Sequence, residues 1–229
     1  MGQESRHDRP TPESYDTRIG ELSFTHTFED GYPTTDTVEK LYDEIDFQRG
    51  CQAYLWSIPL VTFAQYRYAF TEMLGAANGE LVYYTSFQDN LGGITHNTTT
   101  PYASAFLDLS AGPFVLEMPE GEVRGMAHDM WQISLTEITE PGTYLFVGPG
   151  QDVPAGTDEI DVYQSPTTDV SVAIRLIPED EDEQQALLDD IAIYPFEEQD
   201  DPNPRGYLTP DGRPWQATPP RGITYWERL

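Results

Sequence analysis

The sequence predicts a mainly β, α+β protein: a β-sandwich-like domain with an N-terminal helical hairpin and an extended C-terminal arm. Three features predict it. From Leu81 onward apolar residues recur at period two between Gly- and Pro-rich breaks. Between Thr35 and Leu74 they recur at helical spacing, with Pro59 in the middle. From Pro202 to Leu229 no period is visible, only Pro, Gly and aromatic residues.

Residues 1–20 are polar and carry Pro10 and Pro12, which predicts a flexible tail, and a short strand is expected over Leu22–Phe28. Thr35 or Asp36 can cap a first helix carrying Val38, Leu41, Tyr42 and Ile45, and Pro59 is expected to end it. A second helix is expected from Leu60 or Val61 to Leu74, stopped by Gly75. Gly50 weakens the first by about 1 kcal/mol relative to alanine, which hints at close backbone packing there. Strands follow at 81–87, 102–109, 114–118 and 143–148, with a strand-like stretch over 122–138. In the strand from Tyr102 both alternating faces are largely apolar, Ala103, Ala105, Leu107 and Leu109 on one and Tyr102 and Phe106 on the other, as in the middle of a packed sheet. Two more strands are expected near 160–167 and 169–177, then a helix over 183–191 whose Leu187, Leu188 and Ile191 dock on the body. The expected organisation is therefore a flexible tail (1–20), a β-sandwich-like domain with a helical cover (21–201) and an extended connector or docking arm (202–229).

Forty acidic against 12 basic residues give a net charge of −28, and Lys40 is the sole lysine. Such a chain repels nucleic acid and anionic lipid, both of which need a basic footprint. The acids are spread along its length, which suits a halophilic protein in a salt-rich cytoplasm, where a Debye length of about 3 Å at 1 M screens the self-repulsion. One cysteine, Cys51, excludes an intrachain disulfide, and its apolar surroundings predict an inert buried thiol. No export signal or membrane-length apolar run is visible, so a cytoplasmic location is expected.

The segments 41–63, 96–102 (HNTTTPY), 107–119 (LDLSAGPFVLEMP), 142–156 (GTYLFVGPGQDVPAG) and 163–180, followed by 191–206 and 212–229, occur in an order that resembles the family called domain of unknown function 1254. The resemblance spans roughly residues 35–229. It implies a β-sandwich-like domain with an N-terminal helical cover, and it supplies no catalytic residues. Longer members continue into domain of unknown function 1214, which makes this chain a stand-alone half, a truncation or one subunit of a split pair.

His96, Asp108 and His128, with Asp129, are of metal-ligand type, but His128 and Asp129 are adjacent and point to opposite faces of a regular strand. Hydrogen-bonded or exposed histidines are the expectation, with no metal or cofactor. Ser104 lacks a G-x-S-x-G elbow and reads as a packing residue. Asn97-Thr98-Thr99 matches a glycosylation sequon that a chain without export would not use. Tyr83, Tyr84, Tyr102, Trp131, Trp215 and Trp226 could stack on sugars, though such rings more often fill cores. The arm would expose Trp215, Tyr225, Trp226 and Leu229 unless it docks, so the leading expectation is a non-catalytic binding or assembly module: a homo-oligomer, or a complex with a separate partner domain. The alternative is an enzyme acting on a small molecule or carbohydrate, possibly metal-assisted, with His96, Asp108 and His128 converging in a pocket.

Overall fold

A computed structural model describes residues 12–93, 96, 99–158 and 160–229. The first eleven residues of the expected tail and most of the sequon lie outside them. The chain forms two compact units, 1–57 and 58–229.

In the first unit, β1 (Ser14–Thr17) and β2 (Gly20–Ser23) form an antiparallel hairpin, so the end of the expected tail is a strand. Helix α1 (Thr35–Tyr68) then begins, with the Thr37 hydroxyl donating to the Ser23 carbonyl. The helical hairpin does not form, because α1 runs unbroken through Pro59 and passes into a π-helical turn, Ala69–Leu74. An interior proline costs roughly 3 kcal/mol through its missing N–H and ring clash. Two things offset that cost here. Leu55, whose carbonyl loses its partner, is open to water, and the residues after Pro59 (Val61, Ala69, Phe70) are fully buried. Gly75, at φ 80°, ends the helix as its sequence position predicts, donating its N–H to the Phe70 carbonyl.

The second unit is built on two sheets. One has six strands in the order β12-β3-β4-β10-β6-β7: β3 (Leu81–Tyr84), β4 (Tyr102–Asp108), β6 (Val123–Asp129), β7 (Ser134–Ile138), β10 (Asp169–Leu176) and β12 (Tyr207–Leu208). The other has four, β11-β5-β8-β9: β5 (Phe114–Met118), β8 (Gly142–Val147), β9 (Asp161–Gln164) and β11 (Ala192–Pro195). Pairing is antiparallel except for β12 on β3 and β9 on β8. Between the sheets lies the main core, in which Ala105, Leu107, Val172 and Ile174 meet Leu116, Phe146 and Ile193. This is the predicted mainly β sandwich, and β4 is the interior strand that its two apolar faces required.

The stretch 122–138 resolves into β6 and β7 around a tight turn, where one Asp129 carboxylate oxygen accepts the N–H groups of Trp131 and Ile133 at 2.8 and 2.9 Å. Helix α2 (Glu181–Asp190) is capped by the Asp180 carboxylate and buries Leu187 and Leu188, with Ile191 buried just beyond. The outer face of the six-stranded sheet is covered by the end of α1, which brings Leu60, Phe63, Tyr66 and Phe70 against Val82, Tyr84, Tyr102 and Phe106.

The arm expected to lie on a partner packs on its own chain. Residues 202–229 lie on their own body and belong to the second unit, so no boundary between units falls at 201. Strand β12 extends the six-stranded sheet, Arg213 donates to the Leu74 carbonyl, and Ala217 N–H donates to the Gly92 carbonyl. The arm buries Trp215 and Tyr225 against its own chain, which costs no association entropy.

Candidate functional site

The outer face of the six-stranded sheet gathers the polar side chains of interest. Strand alternation points Tyr102, Ser104, Phe106 and Asp108 of β4 away from the sandwich core, and Tyr84 of β3 sits opposite Tyr102. Above them α1 delivers Phe63, Tyr66, Arg67 and Phe70 at helical spacing.

His96 stacks on Tyr84 and Tyr102, with ring centroids 4.8 and 4.6 Å away. Its Nε2 lies 2.9 Å from the Tyr66 hydroxyl and 3.2 Å from that of Tyr84. The two hydroxyls are 2.8 Å apart, and Ser104 Oγ closes the chain 3.0 Å from Tyr84. Nδ1 is buried with no hydrogen-bond partner among the described residues. Trp215 lies parallel to Tyr66 at 5.9 Å and donates its Nε1–H to the Asp89 carbonyl at 2.8 Å. The Gly92-Gly93 pair makes both approaches possible: a Cβ on Gly92 would sit 2.2 Å from the Trp215 ring, and one on Gly93 2.2 Å from His96 Nδ1.

Burial, with a smaller contribution from the Arg175 charge, lowers the His96 pKa to about 4. Burial pushes both the Tyr66 and Tyr84 phenols up. All three groups are therefore uncharged near neutral pH. An acid–base pair working at pH 7 needs a group that titrates near there. This cluster instead works as a neutral hydrogen-bonded clamp joining α1, β3, β4 and the arm.

Asp108 lies at the other end of β4, about 13 Å along the strand from Ser104. The Ser110 side chain, and to a smaller extent the Ser110 N–H that the carboxylate accepts, holds its pKa down, and the carboxylate reaches Arg67 at 3.5 Å. Arg67 bonds more closely to Asp169 of β10, at 2.7 Å. Asp169 is the more buried carboxylate, so its pKa rises through burial although Arg67 opposes the shift. His128 faces the same side from β6, with its ring edge-on to Phe63 at 5.9 Å and burial lowering its pKa. His96, Asp108 and His128 thus share a sheet face but not a site, since each bonds or packs with a different partner. Among the described residues no three His, Cys, Asp or Glu side chains are grouped as metal ligands.

A cleft of about 600 Å3 opens beside Arg67, lined by Tyr68, Trp131, Asp169, Arg228 and Leu229 among others. The Arg228 guanidinium sits 3.7 Å over the Tyr68 ring. Of the four predicted docking residues, Trp215 and Tyr225 are buried inside the chain and are unavailable to a partner. Trp226 and Leu229 are exposed, though Leu229 helps form this cleft.

A run of exposed large apolar side chains on α1, not expected from the sequence, lies in the first unit. From Leu41 to Trp56 every residue of α1 except Glu44 is exposed. Tyr42 is 64% exposed, Phe47 69%, Leu55 66% and Trp56 69%. Cys51, expected buried, is exposed, and a Cβ on Gly50 would meet nothing within 4 Å. The signal was available: no charged residue occurs from Gly50 to Tyr66 in a chain otherwise crowded with acids.

The family model described as protein of unknown function (DUF1254) matches residues 80–195, the span from β3 to β11 that builds both sheets. This is narrower than the resemblance over 35–229, and α1 and the arm fall outside it. No protein of the curated set matches. Among solved structures, the VPA0106 protein from Vibrio parahaemolyticus is similar at a TM-score of 0.51 and 17% identity, over 66% of this chain and 39% of that one. The likeness is one of fold, and this chain spans well under half the length of that protein.

Proposed function

The chain belongs to the family described as protein of unknown function (DUF1254), and from that premise we propose that it is a non-catalytic binding or assembly module. The observation that carries this reading is the exposure of the large apolar side chains of α1 between Leu41 and Trp56. A helix that is apolar on more than one side is normally buried, and monomers rarely leave apolar patches beyond a few hundred Å2 in water. Seven large side chains there, Leu41, Tyr42, Ile45, Phe47, Tyr54, Leu55 and Trp56, are between 36% and 69% exposed. The five that share one side of the helix, Leu41, Tyr42, Ile45, Leu55 and Trp56, present roughly 550 Å2 at roughly 200 Å2 per side chain, most of the roughly 800 Å2 that one partner brings to an ordinary stable interface. The enzyme alternative has less support, because its three named residues diverge and the clamp around His96 is uncharged.

The dispersed acids are, on this reading, a halophilic surface, and the uncharged part of α1 after Arg49 is a place where two molecules can approach without like-charge contact. Light scattering in about 1 M salt tests the proposal. A stable assembly is expected. A monomer at every concentration, with the amides of 41–56 exchanging freely, overturns it.

A further inference from the structure

We infer that the occupant of this helical face is a second copy of the chain, with the two α1 segments packed antiparallel about a two-fold axis near Gln48 and Arg49. The inference rests on the assembly reading and deepens it. Leu41, Ile45, Gln48, Gln52 and Leu55 follow one another at steps of four and three residues, the repeat that lines up one seam of a paired helix. All five are exposed, as are Tyr42 and Trp56 beside them.

Orientation follows from charge. The first third of α1 carries Asp36, Glu39, Asp43, Glu44 and Asp46, whereas from Gly50 on the helix has no charge until Arg67. A parallel pair would stack five acids on five acids. An antiparallel pair sets each acidic segment against the partner's uncharged one, with Leu41 facing Trp56 and Tyr42 facing Leu55. Such a match of neutral against acidic surface is what a chain of charge −28 requires in order to meet itself.

The test uses the full chain with Cys51→Ser as background. Mixed Leu41→Cys and Trp56→Cys proteins should form a disulfide-linked dimer on mild oxidation, while Leu41→Cys alone should not, because its two copies would lie about 22 Å apart along the helices. Leu55→Glu, at a position already exposed, should leave the far-UV spectrum and melting cooperativity intact. It should weaken self-association at least about a hundredfold. Cross-linking of Leu41→Cys to itself would overturn the antiparallel arrangement. An assembly that survives Leu55→Glu, with no 41–56 cross-link, would overturn this inference and leave the assembly reading standing. A monomer under all conditions would overturn both.

Discussion

Replacing Trp215 with alanine tests directly whether the C-terminal arm is part of the body. The indole is buried and parallel to Tyr66, it also packs on Phe70 at 5.8 Å, and it donates to the Asp89 carbonyl at 2.8 Å. Truncation removes about 150 Å2 of apolar contact, worth about 4 kcal/mol at 25 cal/mol per Å2, and strands one carbonyl acceptor worth about 1 kcal/mol. Partial collapse of the cavity offsets some of this, so the expected loss is about 3–5 kcal/mol. For a chain of this size that corresponds to a fall in Tm of about 10 °C. Urea titration followed by circular dichroism reads it as a lower midpoint. Gly92→Ala, whose new methyl would collide with the same indole, should destabilise in the same sense without removing any contact atom. A loss under about 1 kcal/mol for Trp215→Ala would refute the reasoning, since it would mean that the arm is detached in solution.

Three further outcomes are expected. Arg67→Met leaves Asp108 and Asp169 without their shared cation, and should cost about 1–3 kcal/mol at neutral pH. Asp169, already raised by burial, should then rise further, so the deficit should shrink as pH falls through the folded carboxyl pKa, which parallel urea titrations at several pH values will show. His96 has a folded pKa of about 4 against an unfolded value near 6.5, so between those values the unfolded chain binds the extra proton and stability falls as pH falls. With its partial solvent access discounted, the effect is on the order of 2 kcal/mol, and His96→Phe should remove that component of the pH slope between 6.5 and 4. Finally, raising KCl from about 0.1 to 1 M shortens the Debye length from about 10 to 3 Å and should raise the Tm, whereas a flat or falling Tm would refute the halophilic reading of the acids.

The strand content was legible because each sandwich strand is short, alternates at period two and is bounded by Gly or Pro. The β4 segment even declared its interior position, having apolar side chains on both faces. Gly75 was legible as a helix stop because it acts on neighbouring backbone groups, whereas the helix expected from 183 starts at Glu181, capped by Asp180. Pro59 misled for a local reason. Proline penalises a helix by a few kcal/mol, a cost that burial of the following turns can outweigh, and that burial is invisible without the sheet beneath them. The glycines at 92 and 93 read as a turn, but what demands them is the approach of two rings distant in sequence.

The sequence by itself determined the class of fold, the family, the acidic surface and the helix and strand ends set by nearest neighbours. Tertiary structure alone decided where the aromatic residues went. Trp215 and Tyr225, which look like docking groups in a Pro-rich tail, are buried, whereas Tyr42, Leu55 and Trp56, which look like one face of a buried helix, stand in water. Hydrophobicity states that a side chain seeks cover and is silent on which surface supplies it. That depends on which apolar face lies within reach once the sheets have formed.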